Sequence, residues 1–236
     1  MYFDPLYLIV MLIGLPLILI PQWYIKHTFK KYTKVTPDSG LTGAEAAKAI
    51  LKHNGINDKV GIECIPGELT DHYDPRDRVI RLSEKNYRDS SISAISVAAH
   101  EVGHALQHKD KYAPLALRSA IFPTAAMGDK LGVMLIFVGF IFMFALGAFG
   151  LGKLIAVAGV VLYGAVVLFQ FATLPVEFNA SSRAIKQLQS LGFVTTSEAA
   201  LSRKVLNAAA LTYVATALYA VLNLLYYLYI LFGRRD

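Results

Sequence analysis

The residues with the clearest capacity for chemistry lie in Ser96-Val97-Ala98-Ala99-His100-Glu101-Val102-Gly103-His104-Ala105-Leu106-Gln107. Residues four apart share one face of a helix, so His100 and His104 can present two imidazoles to one metal ion. Glu101 follows the first histidine directly and can reach a water held by that ion. H-E-x-x-H is the spacing of helix-borne catalytic zinc sites, with two histidine ligands and a glutamate general base. The helix is apolar around the motif, at Ile95, Val97, Ala98, Ala99, Val102, Ala105 and Leu106. Buried histidines and a buried carboxylate without partners are costly, and a bound cation removes that cost. One Zn2+ per chain is therefore the expected cofactor. The rival reading is an ordinary structural helix that carries the motif by chance.

A catalytic zinc needs a third protein ligand and one open position. His108 repeats the i+4 spacing, but it stands about 12 Å from His100 along a straight helix, too far to share an ion. His72 has no spacing in its favour and reads as solvated or substrate-facing. The better candidate is Glu177, in Leu174-Pro175-Val176-Glu177-Phe178-Asn179-Ala180-Ser181-Ser182-Arg183-Ala184. It is expected to start a helix after Pro175, at the end of an apolar run. Two apolar runs separate it from His104, and an even number of crossings returns the chain to the same side of a membrane. A carboxylate at a membrane boundary also needs a partner. The plain alternative is a helix-start glutamate favoured by the macrodipole. Oxyanion charge developing in hydrolysis needs a further donor. His72, Tyr73, Tyr112 and Arg183 all stay open for that role.

The elements that must position these groups are mostly membrane helices. The chain has 236 residues, 55% of them hydrophobic, a formal charge of +6 and one cysteine. A single cysteine excludes an intrachain disulfide framework and a cysteine-cluster zinc site. Cys64 is expected to be a small buried residue. The basic residues gather beside apolar runs, which fits a membrane surface better than nucleic acid. Residues 1–24 are expected to form a transmembrane anchor. Residues 6–20 carry no charge, Tyr2 and Phe3 precede them, and Trp23 and Tyr24 follow. The segment is a poor secretory signal, because Asp4 stands where positive charge belongs and no small-x-small site follows. Lys26, Lys30, Lys31 and Lys34 place the next part in the cytoplasm by the positive-inside rule.

Residues 25–130 are the expected soluble part. Thr42-Gly43-Ala44-Glu45 has capping-box spacing before a helix that ends at Asn54-Gly55. Strands are expected over 60–65, 68–73 and 78–82, forming a small sheet before a motif helix from about Ser90 to His108. Such a sheet offers an edge that can pair with extended substrate. Charged flanks at Glu84, Lys85, Arg88, Asp89, Lys109, Asp110 and Lys111 place the motif helix in water or at the interface. Residues 113–130 read as an amphipathic surface segment kinked at Pro123. Residues 131–174 read as a transmembrane hairpin linked by Gly150-Leu151-Gly152-Lys153, and 175–210 as a helical segment carrying the third ligand. Residues 211–236 form a last span and tail. Arg234 and Arg235 would then sit outside, against the positive-inside rule. The spans show almost no charge midway, which argues against an ion transporter. The expected fold is a mainly α membrane protein of about four transmembrane helices with a small α+β zincin-like catalytic part.

H-E-x-x-H, two spans, then E-F-x-A followed by a polar residue resembles the gluzincin membrane proteases of the HtpX and CAAX-protease type. The whole chain is similar to the bacterial YugP-type neutral zinc metallopeptidases. The resemblance takes in the N-terminal anchor, Asp71-His72-Tyr73-Asp74-Pro75-Arg76, the stretch from His100 to Gln107, and Pro175-Val176-Glu177-Phe178-Asn179-Ala180-Ser181. It implies zinc on His100, His104 and Glu177, with Glu101 catalytic. It also implies a multi-pass protein of the bacterial cell membrane. Its catalytic part would be cytoplasmic, and it would cut protein or peptide substrates, membrane proteins among them, near the surface. An oligomer or a regulatory membrane partner stays open; a nucleic-acid partner is not expected. Gluzincins commonly carry Asp four residues after the ligand glutamate, where it orients the first histidine. Here that position is Ser181, and Asn179 or Ser181 is expected to replace it more weakly. The alternative function is a non-catalytic zinc-binding membrane adaptor or scaffold, which would normally show four protein ligands.

Overall fold

A computed structural model describes residues 5–233, most of them helical. The expectations resting on Tyr2, Phe3, Asp4, Arg234 and Arg235 lie outside the described residues. Four helical stretches are long and apolar enough to cross a membrane: Pro5–Tyr32, Ala113–Phe144, Phe149–Ser190 and Thr196–Gly233. The chain divides into two units.

The first unit contains residues 21–115 and 175–212. After α1 (Pro5–Tyr32), the Thr42–Glu45 capping box starts α2 (Gly43–His53), which ends at Asn54. Three strands follow, β1 (Gly61–Ile65), β2 (His72–Asp74) and β3 (Val79–Ser83). The sheet is mixed, in the order β1-β3-β2, with β1 parallel and β2 antiparallel to β3. Arg81 on central β3 joins all three, reaching Glu63 on β1, Asp74 at the end of β2 and Asp77 in the β2–β3 connection. The second strand is shorter than the expected 68–73. Gly67 and Leu69 take positive φ, so a turn occupies the stretch before His72. A five-residue helix α3 (Glu84–Arg88) leads to α4 (Ile92–Lys109), capped by Ser91. The core packs Ile50 and Leu51 of α2, Ile80 and Leu82 of β3, and Ile95 and Val102 of α4 against Ala184 and Leu188. Cys64 is exposed, contrary to expectation. Edge strand β1 buries neither face fully, so its alternation did not mark an interior position.

The second unit contains residues 5–20, 116–174 and 213–233. Here α5 (Ala113–Met127) does not lie apart as a kinked surface segment. It continues through a π-helical turn, Gly128–Gly132, into α6 (Val133–Phe144). Asp129 and Lys130 therefore stand inside a continuous apolar helix, which adds two charges to spans expected to show almost none midway. The hairpin turn also moves. It falls between Phe144 and Phe149, with Gly147 at φ +66. Gly150 and Gly152 belong to α7 (Phe149–Ser190). A Cβ on Gly152 would come within 2.6 Å of the Gly139 carbonyl, so close packing of α6 on α7 is why glycine stands there. Helix α7 runs unbroken through Pro175, where a fresh helix start was expected. The last helix, α8 (Thr196–Leu228), starts earlier than the expected 211.

Candidate metal centre

Three donors meet within the first unit. Helical geometry places His100 and His104 one turn apart on α4, with ring centroids 4.7 Å apart and planes nearly perpendicular. The polar continuation of α7, beyond its apolar run, supplies Glu177, which is 2% exposed. Its Oε2 lies 3.3 Å from His100 Nε2 and 3.5 Å from His104 Nε2. A tetrahedral zinc with bonds of about 2.0–2.1 Å holds its ligand atoms about 3.3–3.4 Å apart. The two nitrogen–oxygen separations thus fit a shared ion as well as a direct hydrogen bond. These three residues form the one His/Cys/Asp/Glu group among the described residues whose ligand atoms could hold a metal.

Close helix packing makes this possible. A Cβ on Gly103, in the middle of the motif, would come within 2.6 Å of the Ala180 carbonyl. Glycine lets the α7 backbone lie against α4 at the turn that carries Glu177. Val176, Ala180 and Ala184 are fully buried along this contact, and their small volumes keep the two axes close.

Each imidazole is held from behind. Ser181 Oγ lies 3.2 Å from His100 Nδ1, at the position where the gluzincin pattern has Asp. Gln107 Oε1 lies 3.0 Å from His104 Nδ1. An Nδ1–H donated to either oxygen leaves Nε2 with its lone pair toward the metal position. The fully buried Gln107 also donates from Nε2 to the Val176 carbonyl at 2.7 Å and to Asn179 Oδ1 at 3.0 Å. Arg183 Nε donates to the same Asn179 oxygen, and its Nη1 to Asp110 Oδ2. Asn179 therefore serves His104 through Gln107 and leaves His100 to Ser181. The spacing did not single out Gln107; its signal is an amide three residues after a ligand histidine on one helix face.

Glu101 is 7% exposed, and none of the hydrogen bonds among the described residues uses its carboxylate. Burial pushes its carboxyl above the usual range, against the pull of His100 and His104; Glu177 and Asp71 push it the same way. Burial works against a charged His104, yet hydrogen bonding and charge from Glu177, with the charge of Glu101, raise its pKa. Burial likewise opposes ionisation of Glu177, but the two histidines hold its carboxyl well below the ordinary range. The donor set, a carboxylate facing two imidazoles, fits a divalent cation such as zinc.

The remaining candidates stand apart from the three donors. His72 is exposed and its Nδ1 meets the Thr70 carbonyl. The Tyr73 hydroxyl lies 2.8 Å from His108 Nδ1, and burial raises its pKa, which keeps the phenol protonated. Tyr112 lies under the Arg183 guanidinium, 6.0 Å from its ring centroid. Among the described residues no hydrogen bond or ring contact links His72, Tyr73 or Tyr112 to the cluster.

The family described as "Putative neutral zinc metallopeptidase" matches residues 7–232. A curated relative from Bacillus subtilis (strain 168), "Putative membrane protease YugP", is 49% identical over 215 residues, covering 91% of this chain and 92% of the relative. No solved structure matches the chain.

Proposed function

Since the chain belongs to the neutral zinc metallopeptidase family, we propose that it is a multi-pass membrane metalloendopeptidase of the zincin type with a cytoplasmic active site. In this reading it hydrolyses peptide bonds of protein substrates at or near the membrane surface. The observation that carries it is the convergence of His100, His104 and Glu177, with both nitrogen–oxygen separations at tetrahedral ligand spacing.

His100, His104 and Glu177 would hold the ion. Zinc in such a site polarises a scissile carbonyl and lowers the pKa of its water. Glu101, next to the first ligand and held in a dry environment, takes the water proton and later delivers it to the leaving amine. A carboxyl whose basicity is raised by burial is suited to both steps. Ser181 and Gln107 keep the two rings turned toward the ion, so little reorganisation is needed during turnover. Three ligands leave a fourth position open, and a buried Glu101 without a structural bond has no evident use in an adaptor.

The test is Glu101→Gln in the full chain in detergent, with casein and a membrane protein as substrates. Proteolysis is expected to fall by about 10²–10⁴-fold while the zinc content stays at one per chain, because the amide cannot act as base. Proteolysis at the wild-type rate would refute the mechanism.

A further inference from the structure

Lipid cannot satisfy a charge, so an ionisable side chain in the middle of a span marks a place that something else must meet. In the apolar unit the described residues include four of Asp, Glu, Lys or Arg: Arg118, Asp129, Lys130 and Lys153. Arg118 lies 5.9 Å from the Phe169 ring centroid and Lys153 5.0 Å from that of Phe232. Asp129 and Lys130 differ from these. Both are exposed, and neither makes an ion pair or hydrogen bond with a described residue. Neighbours in sequence do not face each other on a helix, so the two do not neutralise one another.

Their depth follows from the packing. Gly128 lies directly against the Leu162 carbonyl of α7. On that helix Leu162 is about 13 Å from Lys153 and about 18 Å from Leu174, at 1.5 Å per residue. The pair therefore stands near the middle of a hydrocarbon layer about 30 Å thick. It sits on the π-helical turn, a distortion that recurs at functional sites. The inner side of that turn is already occupied, because Gly128 and Gly132 press on α7. Around the charges Met127, Leu131 and Met134 are exposed.

We propose that this face is the interface of a two-fold dimer of the chain within the membrane, with Asp129 of each copy paired to Lys130 of the other. The patch is self-complementary: an acid stands beside a base. A two-fold axis brings each residue of such a pair against the other kind, so both charges are met at once. A partner helix with a single charge would leave one of them in lipid. The exposed methionines and leucine add apolar contact around the pairs, and polar bonds hold membrane helices together. This inference rests on the chain being membrane-embedded, as proposed above.

The experiment uses the full chain, fluorescently labelled and reconstituted into vesicles at low density, with copies counted by photobleaching steps. Wild type is expected to bleach in two steps. Asp129→Lys alone puts lysines against lysines, and Lys130→Asp alone puts aspartates against aspartates. Each is expected to lower the dimer fraction at least tenfold. Asp129→Lys combined with Lys130→Asp in one chain should restore the dimer. Mixing the two single variants should give heterodimers, which excludes misfolding as the reason each fails alone. Single-step wild type, or dimers indifferent to both reversals, would overturn the proposal. Release of the chain from membranes by alkaline carbonate would overturn the membrane reading itself, so the two failures are told apart.

Discussion

In the proposed zinc site, affinity would depend on how each imidazole is turned, and two polar side chains contact the rings from behind. Ser181 stands where a charged Asp is the common choice, so the bond to His100 Nδ1 is neutral and weaker. Gln107 does more. One buried amide accepts from His104 and clamps both Val176 and Asn179 on the helix that brings Glu177. Gln107→Ala is expected to weaken zinc binding by about 10–100-fold, read by chelator competition. Gln107→Glu keeps the acceptor toward His104 and should recover part of the loss. Equal affinity in all three proteins would deny Gln107 any positioning role. The histidine pair was legible in the sequence because the helical period leaves only one way to read a four-residue spacing. Gln107 was not, because a glutamine near a motif has no spacing rule of its own.

Two elements have to be pressed together to make the site, and glycine sets how closely. Gly103→Ala would bring a methyl within 2.6 Å of the Ala180 carbonyl, and backbone cannot yield as a flexible side chain does. A loss of about 1–3 kcal/mol is expected, seen as a lower Tm of the full chain in detergent, together with weaker zinc binding. The start of α8 depends on a second capping box. Glu198 accepts from the Thr195 amide and hydroxyl, and its other oxygen accepts from the Asp38 amide at 2.8 Å. Burial opposes ionisation of Glu198, but these backbone bonds lower its pKa. The folded chain then binds this proton more weakly than the unfolded chain. The contribution is full at neutral pH and fades as pH falls below the ordinary glutamate range through the lowered value. Glu198→Gln should cost about 1 kcal/mol at pH 7, and the difference from wild type should shrink in acid. At this scale turn chemistry misled in places. Gly150 and Gly152 read as a loop, yet both lie within α7, and Gly152 is there to let α6 and α7 approach. Pro175 read as a helix start, yet α7 passes through it.

Across the molecule, topology decides whether a glutamate seventy-odd residues from the motif can serve it. Counting two apolar runs placed Glu177 on the side of His104, and in the first unit the three donors do meet. Misread boundaries did not disturb that pairing of residues, because the count rests on the number of apolar runs and not on where each begins. The charges at Asp129 and Lys130 escaped notice for the same reason in reverse. They read as the end of a soluble part, whereas the helix carries on through them. Exposed Cys64 was misjudged because alternation marks a buried face only where a sheet has one, and an edge strand need not. The most direct measurement is the zinc affinity of Glu177→Ala against wild type, by chelator competition on the full chain in detergent. The expected result is one tightly held zinc in wild type and a loss in the variant beyond the about 10–100-fold typical of outer-shell changes. Wild-type affinity in Glu177→Ala would contradict a site built from these three residues.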